Sequence, residues 1–416
     1  MTARVAMILE RTFLSAIALV FLLPLPLKIV TNNHKRFHGV PLFSHPWLAN
    51  QTLQGTTVAA RDVSFSWSAL AHGTFQKSKA DRFGEGFPGR EALIRWTSEV
   101  WFRIFREPAS LTSSIAIGAQ GALFEKRYLH EYFIQRTPKS ALLPWVKNLR
   151  RLQDFCRESG MGFLVLIAPS KASFYPDETP LAWRRWFDPR PRGNTQIVEL
   201  FQENGILFVD APALLAAEQA AHPPAAPFFP QGGIHWNSRA VWLVANSLQA
   251  RWQEQGRPLE ALRLAGSRLT SDPPEDDDDL LQLLNLVSPL TYSYEEVSLQ
   301  PAVKPPSAQL RMTIVGDSFT WQLARLLSKS GQFSQIDVQY YYRLYQARVL
   351  HGVTYRGPEG PPQNFARETF GADCLLLEFN DASVPLPGHY LDDFLQDAIA
   401  HLPAAASHSP ATAPSD

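Results

Sequence analysis

The stretch Met312 to Leu327, MTIVGDSFTWQLARLL, constrains this chain more than any other. Met312 to Val315 is a short apolar run with strand character, and Phe319 to Leu327 has helical spacing. Gly316-Asp317-Ser318-Phe319 must then form a sharp strand-to-helix turn. Such a turn holds a serine hydroxyl at the C-terminal edge of a sheet and aims the first N–H groups of the new helix at whatever the serine attacks. Ser318 is therefore the candidate nucleophile. Serine is also a favoured helix N-cap, so the motif needs a base from elsewhere in the chain. Asp317, its neighbour, is expected to accept backbone N–H groups within the turn.

The remainder of the sequence supplies an α/β setting for this turn. From Leu142 onward, helices and strands alternate. Pro144 to Arg157 reads as a helix closed by Gly160 and Gly162, and Phe163 to Ala168 as a buried strand. Thr195 to Glu203 is helical, Ile206 to Val209 is a strand ending at Asp210, and Ser238 to Gln255 is a helix stopped at Gly256. Ile336 to Tyr342 and Cys374 to Phe379 are further strands, and Tyr390 to His401 is a closing helix. Near-continuous apolar strands separated by helices imply a mainly parallel sheet with helices on both faces. The strands at 163–168, 206–209, 312–315 and 374–379 should be neighbours, with Ser318 and Asn380 at one edge. Ahead of this, Ile115 to Phe124 reads as a hairpin about Gly118–Gly121, Glu91 to Phe105 as an amphipathic helix, Arg82 to Arg90 as a Gly/Pro turn, and 34–80 as an irregular lead-in. The acidic run Glu275 to Asp279 reads as a solvated helix start before Leu280, because carboxylates favour a helix N-terminus. It lacks the spacing of an EF-hand loop.

Thr12 to Leu27, TFLSAIALVFLLPLPL, carries no charge and is flanked by Arg4, Arg11, Lys28, Lys35 and Arg36. It is short for a relaxed membrane span but has no clear cleavage site after it, and an apolar run so near the N-terminus is rarely core. It is read as a membrane anchor. The flanking charges are nearly balanced and do not fix its orientation. The expected organisation is an anchor or signal segment over 1–35, a linker and helical lead-in over 36–110, the α/β domain over 111–403, and an Ala/Pro/Ser-rich tail over 404–416. The formal net charge is zero, which provides no basic field for nucleic acid. Two cysteines far apart, Cys156 and Cys374, form neither a metal cluster nor a disulfide framework and are expected as separate buried thiols. No cofactor or metal is called for.

Of eleven histidines, His235 is the candidate base. It lies in the Gly-rich loop FFPQGGIHWNSRAVW, just before a helix capped at Asn237 or Ser238, and loops at the rim of an α/β sheet collect catalytic residues. Lys171 and Tyr175, in a loop after a strand, are candidates for contact with substrate hydroxyls or a carboxylate. Trp236, Glu378 and Asn380 complete the candidate substrate-binding set, with Asn380 able either to donate to an oxyanion or to cap a turn.

Several segments, in order along most of the chain, resemble the alginate O-acetyltransferase family of the AlgX/AlgJ type, which has an SGNH-hydrolase-like domain. They are Arg82-Phe83 with Phe87-Pro88 and Arg90, the IGAQGALF hairpin, IAPSKASFYP (167–176), His235-Trp236-Asn237, DDDLLQLLNL (277–286), Gly316-Asp317-Ser318-Phe319, and Leu376 to Phe379. The resemblance implies a periplasmic enzyme that O-acetylates an exopolysaccharide, held at the inner membrane, with a membrane-bound acyltransferase partner delivering the acetyl group. It maps the family's histidine to His235 and its serine to Ser318. One position departs: the family's D-x-H-W motif has an Asp where this chain has Gly233. Asp210, at the end of a predicted strand, is the candidate replacement, with Gln231 or a backbone carbonyl as alternatives. The rival readings are a carbohydrate acetylesterase and a catalytically inactive polysaccharide-binding subunit of an export complex.

Overall fold

The computed structural model describes residues 53–55, 62–85, 90–110, 113–186, 193–274, 277–288, 290–300 and 309–402. The expectations for 1–35 and for the tail 404–416 lie outside them. Among the described residues, no helix is long and apolar enough to cross a membrane. The chain divides into two units, one comprising residues 1–113 with 281–289 and the other 114–280 with 290–416.

In the first unit, the expected irregular lead-in and Gly/Pro turn are partly helical. Helices span Trp67–Ala71, Thr74–Glu85 and Arg90–Val100, the last continued by a π-helical turn over Trp101–Phe105. Ser66 makes the first of these possible: its hydroxyl accepts from Ala69 N at 3.0 Å, satisfying one of the helix's unpaired donors.

The second unit contains the sheet. Its strands in chain order are β1 (Ile115–Ile117), β2 (Leu123–Glu125), β3 (Gly162–Ala168), β4 (Phe208–Asp210), β5 (Leu264–Thr270), β6 (Tyr294–Leu299), β7 (Leu310–Gly316), β8 (Phe333–Tyr340), β9 (Tyr345–Leu350), β10 (Val353–Glu359) and β11 (Cys374–Asn380). Seven of them form one sheet in the order β10-β9-β8-β7-β11-β3-β4. The five from β8 to β4 are mutually parallel, and β9 and β10 extend the edge antiparallel. The four strands expected as neighbours are consecutive. Pairs β1–β2 and β5–β6 are separate antiparallel hairpins, the former at the expected IAIGAQGALF segment.

Both faces of the parallel part of the sheet are covered, because successive side chains on a strand point to opposite faces and each set meets its own helices. Leu164, Leu166, Met312, Ile314 and Leu376 join one core with helices Lys126–Phe133, Ser238–Glu254 and Thr320–Lys329. Phe163, Val165, Val315, Leu375 and Leu377 join the other with helices Lys139–Glu158, Gly193–Glu203 and Tyr390–Ala400. The helix Lys139–Glu158 begins five residues before Pro144, where the sequence suggests a start. Leu142, Trp145, Val146 and Leu149 are all buried along it, and that packing outweighs the one hydrogen bond proline removes. Cys156 and Cys374 are separate, buried and free, as expected. Burial raises both thiols to about 12, so neither is a nucleophile near neutral pH.

Candidate active site

The serine turn leaves β7 at Gly316. A Cβ built there would crowd the Glu378 carboxyl and Thr320 Cγ2, so only glycine permits this close approach. Asp317 then fixes the turn from within, accepting from Phe319 N at 2.9 Å with its side chain and from Thr320 Oγ1 at 2.6 Å with its carbonyl. Its own N–H donates to Glu378 Oε2 at 2.9 Å. Ser318, between these locked residues, is partly exposed. Its N–H makes no hydrogen bond to another described residue.

Beneath the turn lies a carboxyl pair. Glu378 is fully buried at the end of β11, and burial together with the neighbouring Asp317 charge raises its carboxyl well above the usual range. Burial raises Asp317 too. Glu378 therefore carries a proton at neutral pH and Asp317 the charge, since two adjacent buried carboxylates do not both ionise.

His235 meets the serine from the opposite loop. Its Nε2 is 2.8 Å from Ser318 Oγ. The loop is short because Asn237 begins the helix Ser238–Glu254, its side chain accepting from Ala240 N at 3.0 Å. Trp236 is wholly buried and packs edge-on against Phe319 at 5.5 Å, while the His235 ring meets Phe319 at 5.0 Å. Phe319, the residue following Ser318, is thus the floor on which the histidine stands.

The other ring nitrogen faces the acidic run. Asp279 Oδ2 lies 3.6 Å from His235 Nδ1, and Asp279 Oδ1 accepts from Ile234 N at 3.0 Å and from Leu280 N at 2.9 Å. Asp277, two residues earlier, is fully buried and accepts from Tyr294 Oη and Gln322 Nε2. A helix does start here, over Asp279–Leu284, as expected, but the segment ahead of it is not solvated as its charge suggests. It is pinned to β6 and to the helix that Ser318 precedes, and it delivers Asp279 to the histidine. Gly233 explains how. A Cβ at 233 would overlap the Asp277 carbonyl, so the missing side chain leaves the space through which the 277–279 backbone passes.

The remaining sequence candidates sit elsewhere. Asp210 ends β4, three strands from β7 and therefore roughly 14 Å away. Its carboxylate caps the next helix by accepting from Ala213 N at 3.1 Å. It is not the carboxylate at His235. Lys171 does not face substrate. It is buried, and its Nζ donates to the carbonyls of Pro230, Gln231 and Gly233 at 2.6, 3.0 and 3.1 Å, clamping the histidine loop; burial lowers its pKa to about 7. Tyr175 likewise supports this loop, accepting from Phe228 N at 3.1 Å and donating to Gln219 Oε1 at 3.2 Å. Trp236 and Glu378 are buried supports, as described. Gln231 is held by β2: its carbonyl accepts from Leu123 N at 2.9 Å. Asn380 is buried, and its Oδ1 accepts from Ala382 N at 3.0 Å, while its Nδ2 has no partner among the described residues. Leu377 is the last β11 residue paired with β7, opposite Val315, and both strands end toward the edge of the sheet that Asn380 and Ser318 share. Among the described residues there is no cluster of metal-ligating side chains.

A mainly parallel sheet bearing a serine at one strand's C-terminal end, with histidine and aspartate arriving from loops, defines the class of SGNH-hydrolase-like α/β proteins. The family model described as "SGNH hydrolase-like domain, acetyltransferase AlgX" matches residues 116–324, just over half the chain. The chain belongs to this family. Its similarity to solved structures is distant. The O-acetyltransferase domain of Pseudomonas putida AlgJ is 15% identical, with a TM-score of 0.44, over 69% of this chain and 99% of that one. Pseudomonas aeruginosa AlgX is 14% identical, with a TM-score of 0.39, over 66% and 65%. Bacillus cereus PatB1 is 9% identical, with a TM-score of 0.39, over 65% and 97%. No curated protein sequence matches the chain.

Proposed function

We propose that this protein is an O-acetyltransferase acting on an exopolysaccharide in the periplasm, through an acetyl-Ser318 intermediate with His235 as base. The observation that carries this reading is the 2.8 Å contact between His235 Nε2 and Ser318 Oγ, backed by Asp279 on the far side of the ring. His235 takes the Ser318 hydroxyl proton as Oγ attacks the acetyl carbonyl of an ester donor. The protonated ring returns that proton to the departing alcohol, leaving acetyl-Ser318. A sugar hydroxyl then loses its proton to His235 and attacks the acetyl carbon. The new sugar ester leaves, and Ser318 regains the proton. The tetrahedral oxyanion in each half is met by the Ser318 N–H. Asp279, 3.6 Å from Nδ1, is the carboxylate placed to orient the ring and to take the Nδ1–H hydrogen bond as the site tightens on substrate.

This arrangement speaks against an inactive binding subunit, which Gly233 alone would suggest. Whether water or sugar takes the acetyl group separates a transferase from an esterase. The donor is an acetyl ester presented by a membrane-bound acyltransferase partner, and the apolar run Thr12 to Leu27 anchors the chain beside it, with its bulk in the periplasm. The test incubates the purified full-length chain with a chromogenic acetyl ester, with and without oligosaccharide. Acetylated sugar should form with the parent but not with Ser318→Ala or His235→Ala. Ester cleavage that yields only acetate at every acceptor concentration would leave the esterase reading in its place.

A further inference from the structure

Three cavities among the described residues lie along the edge of the sheet that carries Ser318. Beside the serine turn, a cavity of about 260 Å³ is lined by Asp317, Arg127, Tyr128, Tyr341, Ser383 and Tyr390. Arg127 is tied to Glu131 at 2.9 Å. Glu131 lines the next, small cavity of about 20 Å³, together with Ala382 and Val384 on either side of Ser383. That cavity shares Tyr132, Asn194 and Asp381 with a third of about 350 Å³, which reaches Ser173, Phe174 and Gln219. The third is built mainly from residues that follow β11, β3 and β4, which lie one, two and three strand spacings from β7. Its lining therefore spans roughly 5–14 Å across the sheet from β7.

The lining has a definite chemistry. Asn194 and Gln219 use their side-chain oxygens, accepting from Thr195 N at 2.8 Å and Tyr175 Oη at 3.2 Å. Their amide nitrogens make no hydrogen bond to any described residue and remain as donors. Phe174, Tyr132 and Pro212 offer apolar walls, which suit the C–H faces of a sugar ring. Among the described residues, the second and third cavities have no Lys or Arg in their lining, and they include the carboxyl groups of Glu131 and Asp381. Glu131 is already paired with Arg127, but a sugar carboxylate in the third cavity would meet Asp381, which has no Lys or Arg beside it in that lining; hydroxyl groups would meet amides and a carboxyl able to bond them.

We propose that the third cavity is an acceptor subsite for a neutral, hydroxyl-rich oligosaccharide, holding one sugar unit against Asn194 and Gln219 while another presents its hydroxyl to Ser318. The proposal rests on the transferase reading, and its test is independent of turnover. Calorimetry on full-length Ser318→Ala protein in detergent would measure binding of neutral hexose oligomers and of polyuronate oligomers, each over a ladder of lengths. Affinity for neutral oligomers should rise with length to a plateau, and polyuronates should bind more weakly. Ala216→Trp, on the exposed helix face that borders the third cavity, should fill it and weaken the longest neutral oligomer about tenfold while sparing the shortest. Asn194→Ala should act in the same direction by removing one donor. Polyuronate binding as tight as the neutral series, no neutral oligomer binding, or both variants binding like the parent would overturn the proposal. Because binding is read on a protein that cannot turn over, failure of acetyl transfer in the parent counts against the function alone.

Discussion

Replacing Asp279 by Asn should remove most of the catalysis while leaving the fold in place. Asp279 Oδ2 is 3.6 Å from His235 Nδ1, and both side chains are largely shielded, at 15% exposure for His235 and 30% for Asp279. Two unit charges at that distance attract by about 4–5 kcal/mol at an effective dielectric of about 20. Partial exposure of the aspartate screens some of this, and the distance is longer than a short charge-assisted hydrogen bond. The expected loss is therefore about 10²–10³ in kcat, below the roughly 10⁴ seen when an aspartate is changed to asparagine in the serine-protease template. Asn can still accept from Ile234 N and Leu280 N through its side-chain oxygen, so the loop should hold its place. The assay is steady-state acetyl release from a chromogenic ester, with a melting curve to show that the variant is folded. A folded Asp279→Asn protein with the parent's kcat would refute the assignment of Asp279 to the mechanism, and Asp210→Asn should change kcat little in the same assay.

Three further outcomes follow from the site. Restoring the family aspartate by Gly233→Asp should lower kcat by at least tenfold, because its Cβ collides with the Asp277 carbonyl and displaces the segment that carries Asp279; a rise in turnover would show the space to be available. Lys171→Met should destabilise the protein by about 2–4 kcal/mol in denaturant unfolding by leaving loop carbonyls unsatisfied, and should lower kcat through the His235 loop. Glu378 has a raised folded pKa, so the folded state holds its proton more tightly than the unfolded chain and loses stability as pH rises from the ordinary glutamate range toward the folded value. Glu378→Gln, which stays neutral, should therefore unfold with a shallower loss of stability above about pH 5; identical pH slopes for variant and parent would contradict the protonated assignment.

The fold and the site were legible in the sequence to different degrees. The strands β3, β7 and β11 are near-continuous apolar runs buried on both faces, and that pattern survives without any knowledge of pairing. The strands β5, β9 and β10 were not legible: β10 is exposed throughout and β5 nearly so, and β9, though Ala347 and Val349 alternate with Gln346 and Arg348, is too short a run to stand out from a loop. Ser318 and His235 could be paired because each sits at a recognisable turn or Gly-rich loop before a helix. Asp279 could not, because its signal was hidden in a run of acids whose average behaviour is solvation. Only the burial of Asp277 between Tyr294 and Gln322 reveals that the run is anchored. The buried Asp277 and the glycine at 233 are two halves of one rearrangement, and neither is interpretable alone. Lys171 illustrates the converse. A lysine after a strand suggests a substrate contact, but three carbonyl acceptors from one loop turn it into a clamp.

The central claim is that Ser318 carries the acetyl group. Full-length protein mixed with an acetyl ester donor, quenched in acid within the first turnover and digested, can be mapped by peptide mass spectrometry. One added acetyl group is expected on the peptide containing Gly316-Asp317-Ser318-Phe319, localised to Ser318 and absent from His235→Ala protein. Turnover of the donor with no acetyl on Ser318, or with acetyl on a different side chain, would contradict it.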